Sequence, residues 1–171
     1  RSAKSDALSY LASVANKDAL NWNGYEPPKP TFTGTKTITG FPLKELLPFV
    51  DWTPFFIAWE LAGKYPKILE DEVVGEPARQ LFDDAQKLLD EIIEEDLLQA
   101  NAIIGFWPAN SDGDDIIVYE DDTRSTIKTK LHHLRQQTNK PNDQANFCLA
   151  DYVAPTDTAL SDYIGGFVVT T

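Results

Sequence analysis

The sequence is poor in several residue types, and each scarcity excludes a class of protein. A single cysteine, Cys148, rules out an internal disulfide and fits a reducing compartment such as the cytoplasm. Only 15 of the 171 residues are lysine or arginine, and the net charge of -12 argues against binding to nucleic acid or to anionic membranes. No apolar run is long enough to span a bilayer, and residues 1–20 lack the continuous apolar core of a signal peptide. We therefore expect a cytoplasmic protein with no nucleic-acid or membrane partner.

The N-terminal part of the chain differs in composition from the rest. Apolar residues recur at helical spacing over residues 3–20 and predict a helix. Residues 23–42 are rich in proline and glycine and predict an extended linker. We expect residues 1–42 to form an N-terminal helix and interdomain linker, and residues 43–171 to form the domain that follows. The chain begins with Arg1 rather than Met, as a piece of a longer polypeptide would.

Helical patterns come first in the remaining sequence and strand patterns follow. Residues 43–49 and the segment around Pro54 predict two short helices, the second with Asp51 or Thr53 as its N-cap. A longer helix from Pro77 to Glu95 is predicted by an apolar stripe of Ala78, Leu81, Phe82, Ala85, Leu88, Leu89, Ile92 and Ile93. Strand patterns lie at residues 102–107, 116–119 and 163–169, with hairpin chemistry at 110–113, while residues 126–136 fit a strand or a helix. This order predicts an α+β fold with an antiparallel sheet.

Few residues carry an obvious chemistry. No Gly-rich phosphate loop, nucleophile elbow or zinc-type cysteine pair is present in the sequence. His132 and His133 are adjacent and diverge on either a helix or a strand, which disfavours a shared metal ion. The acids at 112–122 lack EF-hand spacing and are predicted to be solvated turn residues, and Cys148 is predicted to be a buried, inert thiol. The acids of the long helix fit a solvated face or, alternatively, a docking face.

The segment 51–56 is the most suggestive part of the sequence. It places the carboxylate of Asp51 beside three large aromatic side chains at a predicted loop-to-helix junction. Such a group can bind a cation or a ribose, because the carboxylate accepts hydrogen bonds and the rings supply apolar and cation–π contact. The alternative is that Asp51 only caps the helix and that the aromatic side chains belong to the core. The residues themselves leave both interpretations open.

The same segment opens a series of stretches that carry a family resemblance. In chain order they are Val50–Phe56, Leu61–Pro66, Ile68–Gly75, Gly105–Asn110, Leu134–Gln137, Cys148–Pro155 and Asp162–Gly165. Their colinearity makes residues 43–171 similar to the N-terminal part of the activation domain of cobalamin-dependent methionine synthase. That domain binds S-adenosylmethionine to reactivate the cofactor.

The resemblance implies both a fold and a function. The fold is α+β, with helices packed on a twisted antiparallel sheet, and this chain is expected to be truncated at its C-terminus. The parent enzyme is a methyltransferase of methionine biosynthesis, and the domain binds S-adenosylmethionine for the reductive remethylation of inactive cob(II)alamin. The resemblance assigns the S-adenosylmethionine contact to Asp51, and it assigns no catalytic residue and no metal ligand. Cobalamin is implied to be bound by another domain of the same polypeptide, and a flavodoxin or flavodoxin-like reductase is implied as the electron donor.

One departure from the family pattern qualifies these expectations. The family supplies further ligand contacts from an Arg-containing segment that leads into Gly-Tyr-Pro, and from a late aromatic pair. Neither occurs in these 171 residues, so this chain alone is not expected to be catalytic. The alternative function is an acidic docking module for a flavodoxin-type reductase or a neighbouring domain, with no ligand of its own.

Overall fold

The computed structural model describes residues 7–141 and 144–171, and these residues form two compact units. The first unit combines the described residues of Arg1–Lys36 with those of Ile104–Phe167. The second combines Thr37–Ile103 with Val168–Thr171 and contains Asp51. No helix in the described part of the chain has both the length and the apolarity needed to cross a membrane.

Helices and strands follow one another as an α+β chain. In chain order the elements are α1 (Tyr10–Ala15), β1 (Gly34–Phe41), α2 (Leu43–Leu46), α3 (Trp52–Ala58), α4 (Gly75–Glu94), β2 (Ala100–Asp112), β3 (Asp115–Tyr119), β4 (Ile127–His132) and β5 (Asp162–Thr170). Short 3-10 turns lie at Leu47–Phe49, Lys67–Glu70, Leu149–Tyr152 and Thr156–Thr158. The predicted α+β class with an antiparallel sheet is confirmed.

The five strands form one sheet in the order β1-β2-β3-β4, and β5 pairs with β2. β2 and β3 are antiparallel, with Asp112 opposite Asp115 across a two-residue turn. Gly113 occupies the first turn position with φ of 64°, a left-handed conformation that favours glycine. β3 and β4 are also antiparallel, with an irregularity between Val118 and Tyr119.

Each unit has its own hydrophobic core. The core of the first unit consists of the buried residues Ala109, Ile116, Val118, Cys148, Ala150 and Val153. Ile116 and Val118 share one face of β3 because side chains two positions apart in a strand point the same way. The core of the second unit is built around Phe56, Ile68 and Ala78, against which α4 packs through Leu81 and Phe82.

The predicted helix at 77–95 is confirmed as α4, but one residue of its apolar stripe was assigned wrongly. Leu88 is 55% exposed and is not a core residue. Ala78 is buried, whereas Leu81, Phe82, Leu89 and Ile92 are half-buried. Leu88 lies at the margin of the stripe, where helical periodicity alone does not decide which side chains reach the core.

Other predicted elements are confirmed in part. The helix expected over 3–20 is observed as α1, six residues long, and residues 1–6 lie outside the described residues. The prediction of an extended linker over residues 23–42 was wrong for residues 34–41, which form β1. The ambiguous segment 126–136 contains β4 at Ile127–His132, a strand that pairs with β3. The division of the chain at residue 42 stays a prediction.

The hairpin turn lies further along the chain than predicted. Residues 110 and 111, expected in the turn, belong to β2 and are buried. The Asn110 side chain donates to the carbonyl oxygens of Ala154 and Leu160, and Ser111 Oγ donates to Val153 O. These polar residues therefore hold a long loop against the strand instead of forming the turn.

Candidate functional site

Asp51 is the N-cap of α3, in agreement with the interpretation that it caps this helix. Its Oδ1 accepts a hydrogen bond from the backbone N–H of Thr53 at 3.0 Å. The helix can begin here because Pro54 falls in the first turn, where backbone N–H groups have no partner within the helix. Within the part of the chain that the structure describes, Asp51 makes no second hydrogen bond, so Oδ2 is unpaired at an exposed position.

The aromatic side chains that follow Asp51 form the core of the second unit. Phe56 has no exposed surface, and the Trp52 ring meets the Phe82 ring edge-on at 4.8 Å between centroids. Trp52 also packs edge-on against Phe55 at 5.4 Å. Edge-to-face pairs of this kind stabilise a core beyond the area that they bury. The rings therefore fix the start of α3, and Asp51 stands at the surface beside them.

A loop that leads to Tyr65 completes the surroundings of Asp51. The backbone N–H of Tyr65 donates to Thr53 Oγ1 at 3.3 Å, and the Tyr65 ring lies 5.5 Å from that of Phe82. Two successive hydrogen bonds thus connect Asp51, Thr53 and Tyr65. The residues alone gave no signal for this contact, because it joins a residue of α3 to a residue of the loop twelve positions later.

Gly63 allows this loop to approach the core. Its φ is 155°, and a Cβ at this position would lie 2.8 Å from Cγ1 of Ile68, which is buried. We expect Gly63→Ala to lower the free energy of unfolding by roughly 1–3 kcal/mol, because Ile68 would have to move and the backbone would be strained. Urea denaturation of both proteins measures this difference.

Gly24→Ala is the matched control for the Gly63 substitution. Gly24 also has a positive φ, of 74°, but a Cβ there would meet nothing within 4 Å. It reports the effect of backbone strain without a steric clash. Equal losses of stability at the two positions would show that the contact with Ile68 is unimportant.

A second polar constellation lies in the first unit and is buried. The Arg135 guanidinium donates to Asp114 Oδ1 and to Asp151 Oδ1, both at 2.6 Å from Nη2. Its Nη1 also donates to the carbonyl oxygen of Asn146 at 2.7 Å. The prediction that all acids at 112–122 are solvated was wrong for Asp114, which lies on the turn yet is paired with this arginine. All polar groups of this cluster are engaged with one another, which marks it as structural.

The cysteine and the histidine–aspartate pair of the first unit have the following surroundings. Cys148 is buried, as predicted, and burial raises the pKa of its thiol. His132 Nδ1 lies 2.9 Å from Asp115 Oδ1, and this hydrogen bond lowers the pKa of Asp115. Among the described residues, no group of three or more His, Cys, Asp or Glu side chains is arranged to hold a metal ion.

A family model and a solved structure are similar to this chain. The family model described as "Vitamin B12 dependent methionine synthase, activation domain" matches residues 42–171. The crystal structure of the MetH reactivation domain bound to AdoHcy is similar to this chain with a TM-score of 0.87 and 46% sequence identity. The match covers 96% of this chain and 50% of that chain, so this chain spans about half the length of the solved one.

Proposed function

The chain belongs to the activation-domain family of vitamin B12-dependent methionine synthase, and from this membership we propose that it contributes to binding S-adenosylmethionine. The bound S-adenosylmethionine serves the reductive remethylation of inactive cob(II)alamin in the parent methyltransferase. Asp51 is the residue of this chain that contacts the ligand. The single observation that carries the proposal is that Oδ2 of Asp51 is exposed and has no partner among the described residues, in a chain 46% identical to a domain solved with AdoHcy.

The chemistry of the ligand fits this carboxylate. S-adenosylmethionine carries an α-ammonium and a sulfonium, and a carboxylate favours a nearby positive charge. The ammonium donates hydrogen bonds, and Asp51 Oδ2 is an acceptor without a competing partner among the described residues. Because Oδ1 is engaged by Thr53, the carboxylate is held in one orientation before the ligand arrives. Methyl transfer needs this kind of positioning rather than acid–base chemistry.

The other participants belong to the parent enzyme. Cobalamin is held by another domain of the same polypeptide and supplies the cobalt that accepts the methyl group. A flavodoxin or flavodoxin-like reductase supplies the electron, in the cytoplasm. The residues of this chain contribute the carboxylate and the rigid aromatic core that fixes it.

An acidic docking module is the second candidate, and the charge of residues 70–96 favours it. Acidic residues outnumber basic ones there by eleven to two. Both basic residues are already paired within α4: Arg79 with Glu76 at 2.6 Å and Lys87 with Asp84 at 3.1 Å. Such a surface attracts a basic partner at low ionic strength. A titration with S-adenosylmethionine separates the two candidates, because a pure docking module binds none.

The first test replaces Asp51 with asparagine in the full-length protein that carries this chain. We expect Asp51→Asn to weaken S-adenosylmethionine binding roughly 10- to 100-fold, the effect of losing one charge-assisted hydrogen bond. Asparagine is as good an N-cap as aspartate, so α3 should stay intact. Isothermal titration calorimetry gives both dissociation constants.

Asp71→Asn is the matched control for this test. Asp71 is exposed in the same unit, and its Oδ1 also accepts backbone hydrogen bonds, from Val73 and Val74 at 2.9 Å. Asp71→Asn therefore removes the same charge as Asp51→Asn at a comparable position. If the Asp51 and Asp71 variants both bind like the unmodified protein, Asp51 is only a helix cap.

A further inference from the structure

Tyr65 is connected to Asp51 through Thr53, but the function proposed so far assigns it no role. Its backbone N–H donates to Thr53 Oγ1 at 3.3 Å, and the N–H of Thr53 donates to Asp51 Oδ1 at 3.0 Å. The close approach of Gly63 to the buried Ile68 fixes the loop that carries the tyrosine. Asp51, whose Oδ2 has no partner among the described residues, and the backbone of Tyr65 are therefore both linked to Thr53 by hydrogen bonds.

The Tyr65 ring is supported by the core and remains partly open. It is tilted by 30° against Phe82, with 5.5 Å between ring centroids, and is nearly parallel to Phe56 at 6.4 Å. The residue is nevertheless 37% exposed, unlike Phe56, which has no exposed surface. A ring ordered in this way by two neighbours loses little conformational freedom when a ligand binds.

The two positive groups of S-adenosylmethionine call for different partners. The ammonium has N–H donors and suits a carboxylate oxygen. The sulfonium has no N–H or O–H to donate, and in this respect it resembles a quaternary ammonium, which proteins recognise with the faces of aromatic rings. The pairing of a carboxylate with an open tyrosine ring matches the two groups of one ligand.

We propose that Tyr65 is a further ligand-binding residue of this site, whose ring contacts the sulfonium of S-adenosylmethionine while Asp51 binds the ammonium. This inference rests on the proposed function. It makes Tyr65 a specificity-determining residue, because S-adenosylhomocysteine keeps the ammonium but has a neutral sulfur. The ring therefore favours the methyl donor over its demethylated product.

The test measures the affinity of the full-length protein for both compounds by isothermal titration calorimetry. Tyr65→Leu removes the π face, and we expect S-adenosylmethionine binding to weaken roughly 3- to 30-fold while S-adenosylhomocysteine binding changes less than about twofold. Tyr65→Phe keeps the π face and should leave both affinities within about twofold of the original values. The ratio of the two affinities is the decisive quantity, since a packing defect weakens both compounds alike.

Trp59→Leu is the matched control, because Trp59 is an exposed aromatic residue at the opposite end of α3. It should leave the ratio unchanged. An unchanged ratio in Tyr65→Leu, whether both affinities fall together or neither falls, overturns the role of Tyr65 and leaves the proposed function standing. If the unmodified protein binds neither compound, the proposed function itself fails and the inference fails with it.

Discussion

Arg135→Ala is expected to lower the free energy of unfolding by roughly 3–5 kcal/mol, the usual effect of removing one partner from a buried ion pair. The Arg135 side chain is 1% exposed, and those of Asp114 and Asp151 are 11% and 5% exposed. Alanine would leave two carboxylates with little access to water and without their common counter-ion. It would also remove the donor to the carbonyl oxygen of Asn146, which is buried.

The stability that Arg135 contributes should decrease as the pH falls. Burial alone would raise the pKa of Asp151, but hydrogen bonds from Arg135 and from the Cys148 N–H outweigh burial and lower it below the ordinary value of 3.8. A depressed carboxyl pKa contributes stability that is present above the pKa of the unfolded chain and is lost as the pH falls through the folded one. The difference between the original protein and Arg135→Ala should therefore shrink from neutral pH to about pH 3.

Urea denaturation at both pH values measures this difference, and Lys128→Ala is its control. Lys128 pairs with Glu120 at 2.9 Å in the same unit, but these side chains are 43% and 48% exposed. Its removal should change stability by less than about 1 kcal/mol, as for exposed ion pairs in general. Similar losses at Arg135 and Lys128 would show that burial of the cluster does not matter.

Phe56→Ala should have an effect of comparable size, roughly 3–5 kcal/mol, because it removes a large, fully buried side chain and opens a cavity in the core of the second unit. Phe56 has no exposed surface and packs against Phe55 at 5.4 Å and Tyr65 at 6.4 Å between ring centroids. Its loss should also loosen the start of α3, so ligand affinity in the full-length protein should fall with stability.

Trp59→Ala is the control for the Phe56 substitution. Trp59 follows α3 and is 62% exposed, so its removal should change the free energy of unfolding by only about 0.5 kcal/mol. Thermal or urea unfolding of the two variants gives the comparison. A greater loss at Trp59 than at Phe56 would mean that the aromatic core is assigned to the wrong face of α3.

The elements that could be predicted from the sequence are those fixed by local periodicity. The helix α4 has almost six turns, with an apolar stripe on one side and polar residues on the other, so its position was predictable to within two residues. The start of α3 was predictable because Asp51 and Thr53, the two candidate N-caps, precede a proline that suits the first turn, and the structure selects Asp51. Leu88 was misassigned because exposure at the margin of a stripe depends on the neighbours across the interface rather than on the helix itself.

The remaining features depend on contacts between distant residues. β1 was not predicted because it lies in a Pro- and Gly-rich segment. Its formation depends on pairing with β2 rather than on a local sequence pattern. Asp114 looked like any turn acid, and only the fold brings Arg135 to it from 21 positions away. In the candidate site, Asp51 was identified by capping chemistry and family resemblance, whereas the contact of Tyr65 with Thr53 arises from tertiary structure.

The central claim, that this chain helps to bring S-adenosylmethionine to the cobalamin of its parent enzyme, is tested most directly by following the methyl group. The full-length protein in its cob(II)alamin form would be given methyl-labelled S-adenosylmethionine and an electron donor. We predict that the label appears on cobalamin, and that at low ligand concentration Asp51→Asn slows this transfer roughly 10- to 100-fold. The absence of label from cobalamin in the folded, unmodified protein would contradict the account.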